Sequence, residues 1–210
     1  LIEQFDGFFA LKDVNLADLL KPEAVAAIRD QLQRTAPTAQ ARTSEELAAI
    51  LLELGDLSTS EIAQRATVDP AGWIGQLAGS QRIVEVAMPT THGTQTRWVA
   101  TEYLPEYIAA FSLDADLRGF ARISVRDESV KSASIGANPR PDEARRAILE
   151  RFLRQAGPVT STVILARYAF PPEWLDQELA QLVESRALAH GQFSPPTTAT
   201  ATEGAPEYID

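Results

Sequence analysis

The chain has 210 residues, of which 45% are hydrophobic and 23% are charged, and it contains no cysteine. This composition is typical of a folded globular protein and excludes a disordered or fibrous chain, a disulfide framework and a thiolate metal site. No apolar run reaches the roughly 20 residues that a membrane-spanning helix needs, and the N-terminus lacks a signal-peptide pattern. We therefore predict a soluble, cytoplasmic protein with no membrane partner.

The net charge of −10 is unevenly distributed along the chain. Between Arg118 and Arg154, nine basic residues stand against five acidic ones, so this stretch carries +4 and the remainder carries −14. Most charge runs are solvated surfaces, and a free-standing DNA-binding protein usually has a basic surface. The chain begins at Leu1 and its single methionine is Met88. We therefore expect a piece of a longer protein that binds DNA weakly by itself.

Residues 1–42 are predicted to be a helical lead-in and linker. Pro22 stands where a first helical residue is favoured, and it opens a predicted helix that runs to about Arg34. The small, polar residues 36–42 are typical of a connection.

Residues 43–111 are predicted to form a first winged-helix domain. Thr43 with Glu46 and Ser58 with Glu61 match the capping-box pattern, so each pair predicts the start of a helix.

The rest of this first domain is a third helix followed by a hairpin. Asp69-Pro70 pairs a capping residue with a first-position proline, which predicts the start of the third helix. Residues 82–88 and 96–100 are strand-like and flank a polar tip, so they predict the two-stranded wing. Pro105 then opens a further helix, to Phe111.

Residues 142–210 are predicted to form a second winged-helix domain, after a connector at 112–141. Gly157-Pro158 ends its first helix and Pro171-Pro172 opens its third. Trp174 and Leu179 are predicted core residues of that third helix. The proline-rich tail 194–206 predicts a long wing tip before a returning strand.

The two predicted domains are copies of each other. Residues 53–65 match residues 155–167 at a shift of 102 positions, and residues 76–83 match residues 181–188 at a shift of 105. A repeat of this kind predicts two copies of one domain type. The predicted fold class is mostly α with small β-wings (α+β), with tandem winged-helix domains after a helical lead-in.

Residues 43–210 resemble the accessory region that follows the motor domains in the large helicase-related (Lhr) proteins of helicase superfamily 2. In the second copy, the matching features are a basic helix before Gly157-Pro158-Val159-Thr160, a strongly apolar third helix, a short strand to Phe193 and the closing Tyr208-Ile209-Asp210. In the first copy, the match is mainly Thr96-Arg97-Trp98-Val99-Ala100.

The resemblance implies a part of an ATP-dependent DNA helicase or translocase, with DNA repair as the expected process. In that family, winged helices pack on the motor domains and guide or separate strands, so the implied partners are DNA and the motor domains. The chain has neither a phosphate-binding G-x-x-x-x-G-K-[ST] loop nor a DEAD-type acidic box. We therefore expect no catalysis and no cofactor in this fragment, with ATP and Mg²⁺ bound by the parent's motor.

The third helix of a winged helix usually enters the major groove, but here neither predicted third helix has a basic residue. Any phosphate contact is therefore predicted from the wings and the central basic stretch, which suits weak binding without sequence preference. The predicted nucleic-acid-binding residues are Arg82, Arg97, Trp98, Arg118, Arg122, Arg145 and Arg146.

Two other functions stay open from the sequence. Paired acidic winged helices also serve as protein-interaction platforms in chromosome-partition or transcription assemblies, and the net charge favours that role. Winged-helix DNA glycosylases use a Gln-x-Gln or Gln-x-Asp motif, and Gln31-Leu32-Gln33 has that spelling. The tripeptide falls inside a predicted helix, however, where residues two apart point away from each other. His92 and His190 are too few for a zinc site, so no metal site is predicted.

Overall fold

The computed structural model describes residues 22–113, 139–191, 193 and 206–210. The described part of the lead-in is one helix, α1 (Pro22–Leu32). The elements that follow it, up to the connector, are α2 (Ser44–Leu54), β1 (Asp56–Leu57), α3 (Thr59–Gln64), α4 (Ala71–Gly79), β2 (Ile83–Thr90), β3 (Gly93–Ala100), a 3-10 turn (Thr101–Tyr103) and α5 (Leu104–Phe111). We call the part from α2 to β3 the first half.

The second half has the same element order as the first. Its elements are α6 (Pro141–Ala156), β4 (Val159–Thr160), α7 (Ser161–Arg167), α8 (Pro172–Glu184), β5 (Ala189–Gly191) and β6 (Glu207–Ile209). The predicted wing tip, apart from Pro206, and most of the predicted connector lie outside the described residues.

Each half contains a small antiparallel sheet with the same strand order. In the first half, β3 lies between β1 and β2, and in the second half β6 lies between β4 and β5. Leu57 pairs with Trp98 in one sheet, and Val159 pairs with Tyr208 in the other. The predicted α+β fold with tandem winged helices is therefore confirmed.

The turn after the third helix matches between the halves at the predicted shift of 105. Gln81 and Arg186 both have a left-handed backbone, with φ of 60° and 61°. The preceding residues, Ser80 and Ser185, each donate a side-chain hydrogen bond to the carbonyl three positions earlier. The repeat seen in the sequence is therefore a repeat of backbone geometry.

The two predicted capping boxes have different outcomes. Ser58 and Glu61 form the full reciprocal box at the start of α3. Thr43 accepts a hydrogen bond from the Glu46 main-chain N–H, but the Glu46 carboxylate accepts from the main chain of Arg42 instead of Thr43. The start of α2 is correctly predicted, whereas its second hydrogen bond is displaced by one residue.

One of the two hydrophobic clusters spans both halves, and the other lies within the first half. Val84, Val86 and Met88 lie on one face of β2, are at most 1% exposed, and pack into a buried cluster that includes Ile148 and Tyr168 of the second half. The main-chain carbonyl of Pro89 also accepts a hydrogen bond from Ala169. One face of the first wing is therefore covered by the second half, so this wing cannot enter a groove as a free hairpin.

The predicted core residues of α8 differ from each other in burial. Leu179 is fully buried, as predicted. Trp174 is only half-buried, at the edge of the core, where its ring meets Phe170 at 5.2 Å and lies 6.0 Å from the Arg145 guanidinium carbon. Pro172 and Glu173, which open α8, are exposed, whereas Leu175 is fully buried, so Trp174 lies at the boundary between surface and core.

Candidate nucleic-acid interface

Arg97 is predicted as an exposed wing cation, but its side chain is only 2% exposed. Its guanidinium donates to the Asp56 carboxylate at 2.7 Å, to Gln95 Oε1 and to the main-chain carbonyl of Arg167. The exposed position predicted for Arg97 is wrong, because β3 directs this side chain between the halves. A phosphate cannot reach it without separating them.

Arg97 belongs to a buried polar group that joins the two halves, which we call the Asp56 cluster. Asp56 Oδ1 accepts from the Tyr107 hydroxyl at 3.0 Å and from the Tyr168 hydroxyl at 2.6 Å. Asp56 Oδ2 accepts from Arg97 at 2.7 Å and from Arg167 at 2.9 Å. The residues of the Asp56 cluster are Asp56, Glu61, Arg97, Tyr107, Arg167 and Tyr168.

Arg167 makes most of the connections between the halves in this cluster. Besides the Asp56 carboxylate, it donates to the main-chain carbonyl of Asp56 at 2.6 Å and to the Glu61 carboxylate at 2.7 Å. Glu61 is fixed in turn by its capping bond with Ser58. A residue of α7 is therefore bonded to both β1 and the first turn of α3.

Gly55 places Asp56 in this position. Its φ of 94° is a backbone conformation that favours glycine, and it ends α2 with a bond from its N–H to the Leu51 carbonyl. A Cβ at this position would lie 3.0 Å from the Tyr107 hydroxyl and 3.0 Å from Arg151 Cδ. The missing side chain thus lets the chain turn sharply and brings Asp56 under α5.

The ionisation of the cluster follows from its geometry. Burial alone would raise the pKa of Asp56, but attraction to Arg167 and Arg97 and hydrogen bonds from Tyr168 and Arg97 lower that pKa below its ordinary value. Burial and the Asp56 charge raise the pKa of Tyr107 and of Tyr168. Asp56 is therefore a carboxylate and both phenols are neutral donors at neutral pH.

This arrangement makes Asp56 a poor general base. Each of its oxygens already accepts two hydrogen bonds, and its lowered pKa weakens its affinity for a proton. Gln33 of the Gln-x-Gln spelling is also engaged, because it donates to the Gln155 carbonyl and accepts from Arg65. Both groups hold the fold together in this structure.

The other predicted residues of the first half do not lie with Arg97. Arg82 is on the surface, where it forms an ion pair with Glu45 at 2.6 Å. Trp98 points to the opposite face of β3 and packs on the core of the first half, and its indole N–H donates to Thr59. The structure therefore does not bring these three residues together.

The predicted arginines of α6 are both engaged with carboxylates. Arg145 forms an ion pair with Asp142 and donates to the Ala110 carbonyl, and its side chain is 22% exposed. Arg146 forms an ion pair with the buried Glu178 at 2.6 Å. The two remaining predicted residues, Arg118 and Arg122, lie outside the described residues.

A different set of arginines is exposed and free of ion pairs among the described residues. An exposed arginine without a carboxylate partner can contact phosphate without first losing an existing ion pair. Its position depends on tertiary packing, so the sequence alone does not separate these arginines from the paired ones. The members of this set are Arg29, Arg42, Arg154 and Arg186.

The third helices expose no cation, in agreement with the sequence analysis. Glycines occupy three of the outer positions of α4, and the space where their side chains would be is open. The outer face of α8 carries Glu173, Asp176 and Glu184. Neither helix offers the arginine or lysine side chains that read guanine in a major groove.

The part of the chain that the structure describes has neither a cluster of metal-ligand side chains nor a membrane-spanning helix. No group of three or more histidine and acidic side chains there could hold a metal ion. No helix in those ranges is long and apolar enough to cross a bilayer.

The chain is similar to proteins of one family along most of its length. Residues 18–116 match the family described as "Large helicase-related protein, winged-helix domain". A relative from Mycolicibacterium smegmatis, described as "Lhr helicase/ probable uracil glycosylase", is 30% identical over 182 residues. The alignment covers 86% of this chain and 11% of the relative. The chain thus spans about a tenth of the length of the curated relative that it matches.

Proposed function

The chain is an accessory winged-helix region of the Lhr helicase type, and from this premise we propose that it guides a DNA strand for the motor of its parent protein. The parent's motor domains would bind ATP and Mg²⁺ and would make most of the contacts with DNA. The process that the parent protein would serve is DNA repair. This region would contact the phosphate backbone and shape the path of the strand.

The observation that carries this proposal is the distribution of free cations. The faces of α4 and α8 that would read bases carry no arginine or lysine, whereas four arginines without ion pairs lie elsewhere on the described surface. Phosphate contacts position a nucleic acid but carry no direct sequence information. This distribution supports weak binding to the phosphate backbone of DNA. It gives no support to recognition of a defined base sequence.

The shared core supports the same role. The Asp56 cluster and the buried face of β2 hold the two halves in one arrangement. A fixed pair of winged helices presents a constant surface, and such a surface suits strand guidance.

The description of the relative includes a second activity, uracil glycosylase, so base excision is the second candidate function. The described residues give it less support. The Asp56 carboxylate accepts two hydrogen bonds at each oxygen, and the Gln33 amide is hydrogen-bonded through both its nitrogen and its oxygen. We therefore propose a non-catalytic role for this region.

The proposal predicts weak DNA binding without sequence preference. The 210-residue chain is titrated against two labelled single strands of unrelated sequence at low salt, and fluorescence anisotropy gives both dissociation constants. We expect similar values, roughly 10⁻⁶ to 10⁻⁴ M, as is usual for non-specific binding. A preference of about tenfold or more for one strand would contradict backbone guidance. Failure to bind either strand would favour the protein-interaction platform.

A further inference from the structure

Two of the free arginines lie near the C-terminal end of α6. Arg154 lies in the last turn of α6 and is exposed. Arg29 of α1 is exposed as well, and its Nε lies 3.9 Å from the point where a Cβ on Gly157 would be. Gly157 is the residue that ends α6. Both residues therefore lie near the same end of α6, although 125 positions separate them in the sequence.

The position of Arg29 is fixed by the contacts of two residues that follow α1. Gln33 lies one helical turn further along the same face, and its amide donates to the Gln155 carbonyl at 2.6 Å. Arg34 forms an ion pair with Glu53 of α2 at 2.6 Å. These two contacts hold α1 against α6 and α2, so Arg29 is held beside Gly157.

The charges around the two arginines leave both guanidinium groups available. Neither Arg29 nor Arg154 forms an ion pair with a described residue, and Arg154 donates only to the main-chain carbonyl of Glu150. Asp30, the acidic neighbour of Arg29, accepts a hydrogen bond from Thr35. Arg82 and Arg146, by contrast, are each held by a carboxylate.

We propose that Arg29 and Arg154 form a phosphate-binding pair that contacts the backbone of the guided strand. This inference rests on the proposed function and names the residues that perform it. The pair replaces the buried Arg97 and the ion-paired Arg145 and Arg146 as the contact surface.

Both arginines also contribute to folding, since cations near a helix C-terminus stabilise the helix. The test must therefore separate binding from stability. The variants are Arg29→Gln, Arg154→Gln and the double variant, and the matched control is Arg140→Gln. Arg140 is 81% exposed and loses the same unit of charge, but it is ion-paired with Glu143.

We expect a specific loss of binding in the pair. An exposed ion pair contributes a factor of about 1.4 to 5, so the double variant should bind a labelled single strand about 2- to 30-fold more weakly at low salt. The slope of log affinity against log salt should fall by about 1.4, since each single-strand phosphate contact contributes about 0.7. Arg140→Gln should change the affinity by less than a factor of about 1.4. The Arg29→Lys and Arg154→Lys double variant should retain binding, because lysine supplies the same charge.

The outcomes distinguish this inference from the proposed function. A wild-type chain that binds no strand would overturn both. If the wild type binds and Arg140→Gln loses as much affinity as each single variant, only the pair is overturned. Total charge would then explain the loss of affinity. Circular dichroism melting of each variant identifies any loss due to unfolding. If the Gln variants unfold, the salt slope of the wild type decides, because a slope well below about 1.4 in magnitude would mean fewer than two phosphate contacts and would contradict the pair.

Discussion

Replacement of Asp56 by asparagine is expected to lower the free energy of unfolding by about 3–5 kcal/mol at neutral pH. The substitution keeps the size of the side chain but removes the charge that two arginines and two hydroxyls surround. Arg97, which is 2% exposed, would then be left in the protein interior without a carboxylate. Leaving one buried charge without its partner is costly, because the group has already lost its water.

The pH dependence of this effect has a definite sign. The pKa of Asp56 is lowered in the folded chain, so the carboxylate contributes stability above its ordinary pKa of 3.8, and that contribution is lost as pH falls through the folded pKa. The asparagine variant has no such contribution. The difference in stability between wild type and variant should therefore be constant near neutrality and should narrow below about pH 3.8.

Urea denaturation followed by circular dichroism and by tryptophan fluorescence measures this difference. Trp73 and Trp98 report on the first half and Trp174 on the second, so coincident transitions would show that the halves unfold together. The matched control is Asp142→Asn, because Asp142 is a 71% exposed carboxylate in an ion pair with Arg145. We expect the control substitution to lower the free energy of unfolding by less than about 1 kcal/mol. An equally small effect at Asp56 would show that the cluster does not join the halves.

Replacement of Leu179 by alanine is expected to cost about 2–5 kcal/mol in the free energy of unfolding. Leu179 is fully buried in the core that both halves share, so the change removes buried methyl groups and leaves a cavity. The same urea titration measures the effect. Leu52→Ala is the matched control, because Leu52 is 37% exposed on α2 and undergoes the same chemical change. A loss below about half a kcal/mol at Leu179 would contradict the packing of α8.

The local signals in the sequence predict the elements well, because helix caps and turns depend on neighbouring residues. Ser58 with Glu61 and the glycines at 55 and 157 mark boundaries that the structure contains. The repeat identifies two copies of one domain type, and Gln81 and Arg186 show that the match extends to backbone angles.

The position of Arg97 could be predicted only in part. Side chains alternate along a strand, so Arg97 shares a face with the buried Val99, and that alternation was an available sign of burial. The carboxylate that Arg97 meets belongs to β1, and the core above it belongs to the second half. Packing between the two halves is not encoded in any local pattern, so the sequence indicated a wing cation instead.

Asp56 illustrates the same limit. It is a charged residue between Leu54 and Leu57, in a segment that the structure buries completely, and its counterpart in the repeat is Pro158. This difference between the two copies was the feature of the sequence that could have pointed to a special role for Asp56. The partners of Asp56 on α5, β3 and α7 are brought to it only by the tertiary fold.

The most direct test of strand guidance by phosphate contacts is the salt dependence of single-strand binding by the 210-residue chain. Each phosphate contact contributes about 0.7 to the slope of log affinity against log salt. We expect a slope of about −1.4 if Arg29 and Arg154 alone make contact, and of about −3 if all four free arginines of the described surface do. Affinity that is independent of salt, with a slope smaller in magnitude than about 0.7, would contradict the account, since it would mean that fewer than one phosphate is contacted.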